Sequence, residues 1–253
     1  MKITFLGTGT SQGVPVIACK CKVCCSENSK DKRLRSSVLV ETNNNVFVID
    51  TGPDFRQQML RENISKIDAV LITHSHKDHI GGLDDVRAFN YFQNAPVNVY
   101  AQKEVHKALY SDYSYAFAED KYPGVPDINL HIIENSPFEI NNDLINPIEV
   151  IHYKMVVFGF RIKDFTYITD ANFISDTEIE KIKGSKVIAL NALRKKQHIS
   201  HFTMEKAVEI LELLQPERAF LTHISHQLGL HGEVEKELPE FIKLAYDGLK
   251  IEI

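Results

Sequence analysis

The sequence has 253 residues, of which 43% are hydrophobic and 25% charged, and its formal net charge is -5 at pH 7. This composition is that of a globular protein with a full hydrophobic core, and the acidic balance argues against nucleic-acid binding as the main role. No apolar run reaches about 18 residues, and glycines interrupt the N-terminus before a signal-peptide core forms, so we expect a cytoplasmic protein outside the membrane. We expect a single domain over residues 1–253.

Short β-rich runs alternate with helical stretches along the chain. The clearest helix is predicted over Met204–Leu214, where apolar residues recur at helical spacing after Thr203, a typical N-cap. Alternation without segregation indicates an α/β fold in which helices cover sheets. The predicted strands are Ile3–Leu6, Val46–Ile49, Ala69–Ile72, Val97–Tyr100, Glu149–Ile151, Phe158–Ile162, Thr166–Ile168, Val187–Leu190, Ala219–Leu221 and Leu249–Ile251.

Four cysteines, Cys19, Cys21, Cys24 and Cys25, lie within seven positions. They are too close together for a disulfide framework, which favours metal binding or redox chemistry. Cys19, Cys21 and Cys24 offer three soft ligands for a structural zinc ion that needs a fourth. Either Cys25 or a distant histidine could complete the site. His226 is the better candidate, because adjacent side chains such as those of Cys24 and Cys25 tend to diverge.

The most informative motif follows the predicted strand Ala69–Ile72. His74 and His76 come as the strand ends and can point to one side, where they could share a metal. Asp78 and His79 come after a turn and can face a second metal. Imidazole and carboxylate ligands together suit Zn, Fe or Mn, so the cluster predicts a metal site.

This His-x-His-x-Asp-His motif, followed by two glycines, resembles the signature of the metallo-β-lactamase superfamily. The pattern finds three further candidates, His152, Asp170 and His223, each just past an apolar strand. The resemblance implies an αββα sandwich of two mixed β-sheets flanked by helices, with two divalent metals, Zn or Mn, at the catalytic site. It implies that one metal is held by His74, His76 and His152 and the other by Asp78, His79 and His223, with Asp170 bridging.

A narrower resemblance rests on Leu6–Pro15, the cysteines that follow it, and Thr222–Gln227. Over nearly the whole chain these features resemble the phosphoribosyl cyclic phosphodiesterases of phosphonate catabolism. The resemblance implies hydrolysis of a small, cyclic phosphodiester by hydroxide generated between two metals. It also implies that Asp78 and His201 are catalytic, with His201 donating a proton to the leaving oxygen. A structural role for His201, with His198 as the acid, is the alternative.

Two other stretches leave alternatives open. Tyr110–Pro126 is rich in tyrosine and ends in a Pro-Gly-Val-Pro breaker. It predicts either a lid or partner surface, or an aromatic helix end that packs on the core and continues into a loop. Arg194–Lys196 could bind a substrate phosphate or form a solvated surface.

The implied fold admits several activities. An RNA-end processing nuclease would need a basic surface, which the acidic balance does not favour. A thioesterase or lactamase would direct the same hydroxide at an acyl carbon, and a non-catalytic accessory protein of cofactor biosynthesis would not need the complete ligand set. We therefore predict a metal-dependent phosphodiesterase with a small-molecule substrate. A homodimer is compatible with this prediction.

Overall fold

The computed structural model describes residues 1–253, and its strands form two sheets. The first sheet contains β1 (Lys2–Gly7), β2 (Ser37–Glu41), β3 (Val46–Ile49), β4 (Ala69–Leu71), β5 (Val97–Ala101), β6 (Ile128–Ile132) and β15 (Lys250–Glu252). Its order is β15-β1-β2-β3-β4-β5-β6. Pairing is antiparallel from β15 to β3 and parallel from β3 to β6, so the sheet is mixed.

The second sheet is also mixed. It contains β7 (Phe138–Ile140), β8 (Asp143–His152), β9 (Met155–Ile162), β10 (Phe165–Ile168), β11 (Phe173–Ile174), β12 (Val187–Asn191), β13 (Arg218–Thr222) and β14 (Ile242–Leu244). Its order is β11-β8-β9-β10-β12-β13-β14, and β7 pairs with β8. Strands β10, β12, β13 and β14 are parallel, and the remaining pairs are antiparallel.

Seven helices connect the strands: α1 (Phe55–Glu62), α2 (Lys77–Ile80), α3 (Arg87–Gln93), α4 (Lys103–Asp112), α5 (Asp176–Ile182), α6 (Met204–Leu214) and α7 (His231–Val234). The predicted cap of α6 is present, because the Thr203 side chain accepts a hydrogen bond from the backbone of Lys206. Ser175 caps α5 in the same way. No helix has the length and apolar character that crossing a membrane requires.

Three buried cores fill the spaces between the layers. Phe5 and Phe47 of the first sheet pack with Phe160 and Tyr167 of the second, which places one core between the sheets. A second core joins the first sheet to α1, α3 and α4, and a third joins the second sheet to α5 and α6. The order of layers is therefore helix, sheet, sheet, helix, and the predicted αββα sandwich is confirmed.

The ends of three strands carry residues predicted as ligands. His152 is the last residue of β8, His223 follows β13 directly, and Asp170 lies two residues past β10. Asp170 and His223 have left-handed backbones with φ of 53° and 54°, and Asp50, just after β3, has φ of 65°. Such conformations are strained for residues other than glycine and cluster at functional sites. The strand ends are therefore where the chemistry is expected.

Candidate metal sites

Four side chains with ligating atoms meet at this edge: His74, His76, His152 and Asp170, all within 4.8 Å of one another. Nε2 of His74 lies 3.1 Å from Nδ1 of His76 and 3.6 Å from Oδ2 of Asp170. Atoms at such separations can bind one metal at about 2.0–2.2 Å each. The structure thus brings together the three histidines predicted for the first metal.

A second group contains His79, Asp170 and His223. Oδ1 of Asp170 lies 3.4 Å from Nε2 of His79 and 3.0 Å from Nδ1 of His223. Asp78 adjoins this group, because its Oδ2 is 3.2 Å from Nε2 of His79. Asp170 therefore directs one oxygen toward each group, as a carboxylate that bridges two metals does.

Hydrogen bonds fix how the histidine rings face the site. Nδ1 of His79 donates to Oδ2 of Asp50 at 2.7 Å, and Nδ1 of His152 donates to the carbonyl of Ser200 at 2.8 Å. Both rings are left with Nε2 turned inward. Partners of this kind orient the ligands of metal sites and select the tautomer that binds.

Charge and burial both fit a bound cation. Nε2 of His79 is buried and has no hydrogen-bond partner, although two carboxylate oxygens face it. Burial alone would lower the pKa of His79, but the carboxylates around it, Asp170 first, raise that pKa well above its ordinary value. Burial likewise opposes ionisation of Asp170, yet His223 and His79 hold its pKa well below the ordinary value. The carboxylates thus favour positive charge here, which a divalent metal would supply.

Asp50 is a member of the site that the sequence analysis missed. Besides His79 it accepts bonds from the backbone N and Oγ1 of Thr73, and Thr73 Oγ1 lies 2.9 Å from Nδ1 of His74. One signal could have found it. The predicted strand Val46–Ile49 runs directly into Asp50, as the other strands run into their ligands.

The cysteine loop forms a separate cluster of Cys19, Cys21, Cys24 and His226. Nδ1 of His226 lies 3.3, 3.4 and 3.5 Å from the three sulfurs in that order. A tetrahedral zinc with Zn–S of about 2.3 Å and Zn–N of about 2.0 Å requires N···S separations of roughly 3.5 Å. Cys25 is exposed and is not part of the cluster.

The local environment favours a thiolate on one of these sulfurs. The backbone N–H of Cys24 donates to Sγ of Cys21, and chiefly for this reason the pKa of Cys21 falls to about 6. Burial raises the pKa of Cys24 to about 11. A metal ion is the usual means of deprotonating such a buried thiol.

His201 lies against the predicted metal ligands. Its ring centroid is 4.6 Å from that of His152 and 4.8 Å from that of His223. Its Nδ1 is buried without a hydrogen-bond partner, and burial, together with His223, lowers its pKa to about 3. His198 is more distant, and its Nδ1 lies 3.2 Å from Oγ of Ser200. His201 is thus the better placed of the two histidines.

A cavity of about 550 Å³ lies beside His201. It is lined mainly by polar residues: Asn172, Lys195, Gln197, His198, Ile199, His201, Phe202, Thr203, Glu205 and Lys206. Of the basic residues considered from sequence, Lys195 pairs with Glu237 at 2.6 Å and Arg194 bonds Gln227. The cavity can hold a small polar molecule next to the candidate acid.

The tyrosine-rich stretch Tyr110–Pro126 begins as a helix end that packs on the core. Tyr113 is buried, and its hydroxyl donates to the carbonyl of Ile80 at 2.6 Å. Tyr110 packs on Phe117 with ring centroids 4.5 Å apart. Tyr122 is 80% exposed. For the first half of the stretch, the packed helix end is therefore the correct alternative.

Comparison with known proteins agrees with this geometry. A family model described as a β-lactamase superfamily domain matches residues 45–224. A crystal structure described as a new diphosphatase from the PhnP family is 40% identical, with a TM-score of 0.93 over 100% of this chain and 97% of that one. Zinc-bound PqqB from Methylobacterium extorquens is 18% identical with a TM-score of 0.81 over the full length of both chains, which shows a shared fold.

Curated relatives carry two other names. An octanoyltransferase of Porphyromonas gingivalis is 38% identical over 253 residues, 99% of this chain and 51% of its own length. A ribonuclease Z of Prochlorococcus marinus is 29% identical over 175 residues, 65% of this chain and 50% of its own length. The chain thus spans about half the length of these relatives. The matched domain, the sandwich and the clusters of histidine and aspartate at the strand ends agree: the chain belongs to the metallo-β-lactamase superfamily.

Proposed function

We propose that the chain is a phosphodiesterase that hydrolyses a small, cyclic phosphodiester at a dinuclear metal site. The observation that carries the proposal is Asp170, whose two oxygens face two separate histidine groups. Two divalent metals, Zn or Mn, would supply there an activated water nucleophile and positive charge for the phosphoryl oxygens.

The protein's own residues have three tasks in this proposal. His74, His76 and His152 would hold one metal, Asp78, His79 and His223 would hold the other, and Asp170 would be a ligand of both. Asp50 and the Ser200 carbonyl keep the rings in the binding tautomer. The cavity beside His201 receives the part of the substrate that leaves.

His201 is the proposed general acid. In the free site its low pKa keeps the imidazole neutral, and an anionic substrate beside it would raise that pKa and favour the protonated form. Its partnerless Nδ1 and its place against His152 and His223 put it within reach of a leaving oxygen. A positioned acid of this kind contributes roughly 10²–10⁴-fold.

We also propose that Cys19, Cys21, Cys24 and His226 bind a structural zinc ion. The near-equal distances from Nδ1 to the three sulfurs support a closed tetrahedral site with His226 as the fourth ligand. The exposure of Cys25 argues against that residue as the fourth ligand.

A substrate panel tests the activity. Metal-free protein is reconstituted with Mn or Zn and assayed with cyclic phosphates, linear diesters, a diphosphate, an octanoyl thioester and a β-lactam. We expect turnover of the cyclic phosphate, lost in Asp170→Asn and kept in Asp164→Asn, an exposed residue paired with Lys186. Turnover of the octanoyl thioester alone would contradict the proposal and favour an acyl hydrolase. The diphosphate arm tests whether the activity named for the 40% identical relative is shared.

Hydrolysis of RNA ends is the second candidate, and the ribonuclease Z relatives are the observation that favours it. The net charge of -5 weighs against it, because RNA binding relies on basic surface. Affinity for a tRNA precursor that falls steeply with salt, with cleavage near its 3′ end, would favour this candidate over the cyclic phosphodiester.

Two further expectations stay predictions. Light scattering of the purified chain would test the homodimer, and fractionation of cells would test the cytoplasmic location.

A further inference from the structure

The helix α2 carries two of the predicted ligands on only four residues. Asp78 and His79 lie at its second and third positions. Because a single helical turn is unstable in isolation, its conformation must be held by its neighbours. On the inner side, the backbone N–H of Thr51 donates to the carbonyl of His79 at 2.7 Å, and Gly82 donates back to Thr51 at 2.8 Å.

The outer side of α2 is held by the end of α4. The hydroxyl of Tyr113 donates to the carbonyl of Ile80, the last residue of α2, at 2.6 Å. Next to it along the chain, Asp112 forms an ion pair with Lys77, the first residue of α2. Both ends of the turn are therefore tied to one short segment.

Burial distinguishes these two contacts. The Lys77 side chain is 70% exposed, so its pair with Asp112 is screened by solvent and weak. Tyr113 is 7% exposed. Burial raises its pKa to about 12, which keeps the hydroxyl protonated as a donor. Its hydroxyl contacts backbone groups of Ile80 and Leu83. It can therefore act on Asp78 and His79 through the backbone of α2.

We propose that Tyr113 is a positioning residue for the second metal group. Its hydroxyl fixes the end of α2 and so places Asp78 and His79 opposite Asp170. At the start of the tyrosine-rich stretch, Tyr113 would then neither form a lid nor serve only to pack the core. The proposal rests on the dinuclear site proposed above.

The substitution Tyr113→Phe removes the hydroxyl and keeps the ring. Tyr110→Phe is the matched control, because Tyr110 lies in the last turn of α4, which Tyr113 follows directly, and is half exposed. Competition with a chelator, followed through the absorption of bound Co²⁺, measures the two catalytic metals separately. We expect affinity for the second metal to fall roughly 10-fold in Tyr113→Phe, within the range of orienting partners. The first metal and the control should keep wild-type values, and excess metal should restore turnover.

Hydrogen exchange of the metal-free protein gives an independent result. The amides of His79 and Ile80 should exchange faster in Tyr113→Phe, while those of α6 stay unchanged. Wild-type exchange and wild-type metal affinities in Tyr113→Phe would overturn the proposal. Equal loss at both metals together with a lower melting temperature would also overturn it, since that indicates general destabilisation. If the wild-type protein binds no second metal, the dinuclear function fails, and exchange in α2 still decides whether Tyr113 holds the turn.

Discussion

Asp50 and His79 form a hydrogen bond of 2.7 Å, and neither side chain is exposed to solvent. The carboxylate accepts the Nδ1 proton of His79 and leaves Nε2 directed at Asp78 and Asp170. A residue outside the predicted ligand set thus determines how one of the ligands presents itself.

Asp50→Asn should lower the affinity for the second metal by about 10–100-fold, because the charge that orients His79 is lost. The new amide would also place a donor opposite the N–H and hydroxyl of Thr73, which now donate to the carboxylate. Chelator competition measures the affinity, and Asp164→Asn is the surface control. Unchanged affinity would show that His79 is oriented by its packing alone.

The loss of hydrolysis rate in His201→Ala should depend on the leaving group of the substrate. Hydrolysis of a diester with a poor alkyl leaving group should fall roughly 10²–10⁴-fold. A nitrophenyl diester, whose leaving group needs no proton, should be much less affected. Loss of His76, a predicted metal ligand, should depress both substrates together.

His198→Ala is the comparison for His201, and metal content is measured for each protein. Equal slowing of both diesters in His201→Ala, with metals retained, would assign His201 to substrate binding. The acid would then have to be sought at His198.

Cys21→Ser should lower the zinc content by one ion per chain and reduce the melting temperature, because a closed zinc site contributes directly to folding. Cys25→Ser is a matched control on the same loop. It should change neither quantity, since Cys25 is exposed and outside the cluster. Metal analysis and calorimetry check both variants. Zinc retained by a variant that lacks Cys19, Cys21 and Cys24 would rule out the site.

The pH dependence of stability should include a contribution from His231. Burial, reinforced by the neighbouring Arg33, lowers its pKa from 6.5 to about 4. Below pH 6.5 the unfolded chain therefore binds a proton that the folded chain refuses until about pH 4. The free energy of unfolding should thus fall as the pH drops through this window.

His231→Asn should flatten that slope. Nδ1 of His231 accepts a hydrogen bond from Arg33 at 3.1 Å, and the asparagine carbonyl offers an acceptor that does not titrate. Urea unfolding of both proteins from pH 4 to 7 measures the difference, which cancels contributions from metal release. Parallel curves for the two proteins would contradict the assignment.

The αββα sandwich was accessible from sequence because the His-x-His-x-Asp-His motif carries the resemblance that implies it. The same resemblance predicted His152, Asp170 and His223 as ligands, and each follows an apolar run that ends abruptly. Three very short strands of the second sheet were not predicted. Strand β11 has two residues, and β7 and β14 have three each. Segments this short show no periodicity and exist through their neighbours.

The longer strand β2 was not predicted for a different reason. Strand β2, Ser37–Glu41, lies beside the basic run before it, so its apolar alternation was not separated from the loop. The sequence also left the fourth cysteine-site ligand open between Cys25 and His226. The choice depends on how close the ends of β1 and β13 lie to each other. The backbone N–H of Ile224, just after β13, donates to the carbonyl of Thr8, just after β1, at 2.8 Å. Contacts across more than 200 positions leave no local signal.

The left-handed backbones at Asp50, Asp170 and His223 cost folding free energy at positions where the side chains line the candidate metal site. Such a conformation costs an L-residue about 1–2 kcal/mol, a cost that glycine avoids. At Asp50 a glycine would relieve this backbone cost but would leave the buried donors of His79 and Thr73 without their acceptor. The side chains that fill the site therefore also satisfy the buried groups around them, so site and fold cannot be separated at these positions.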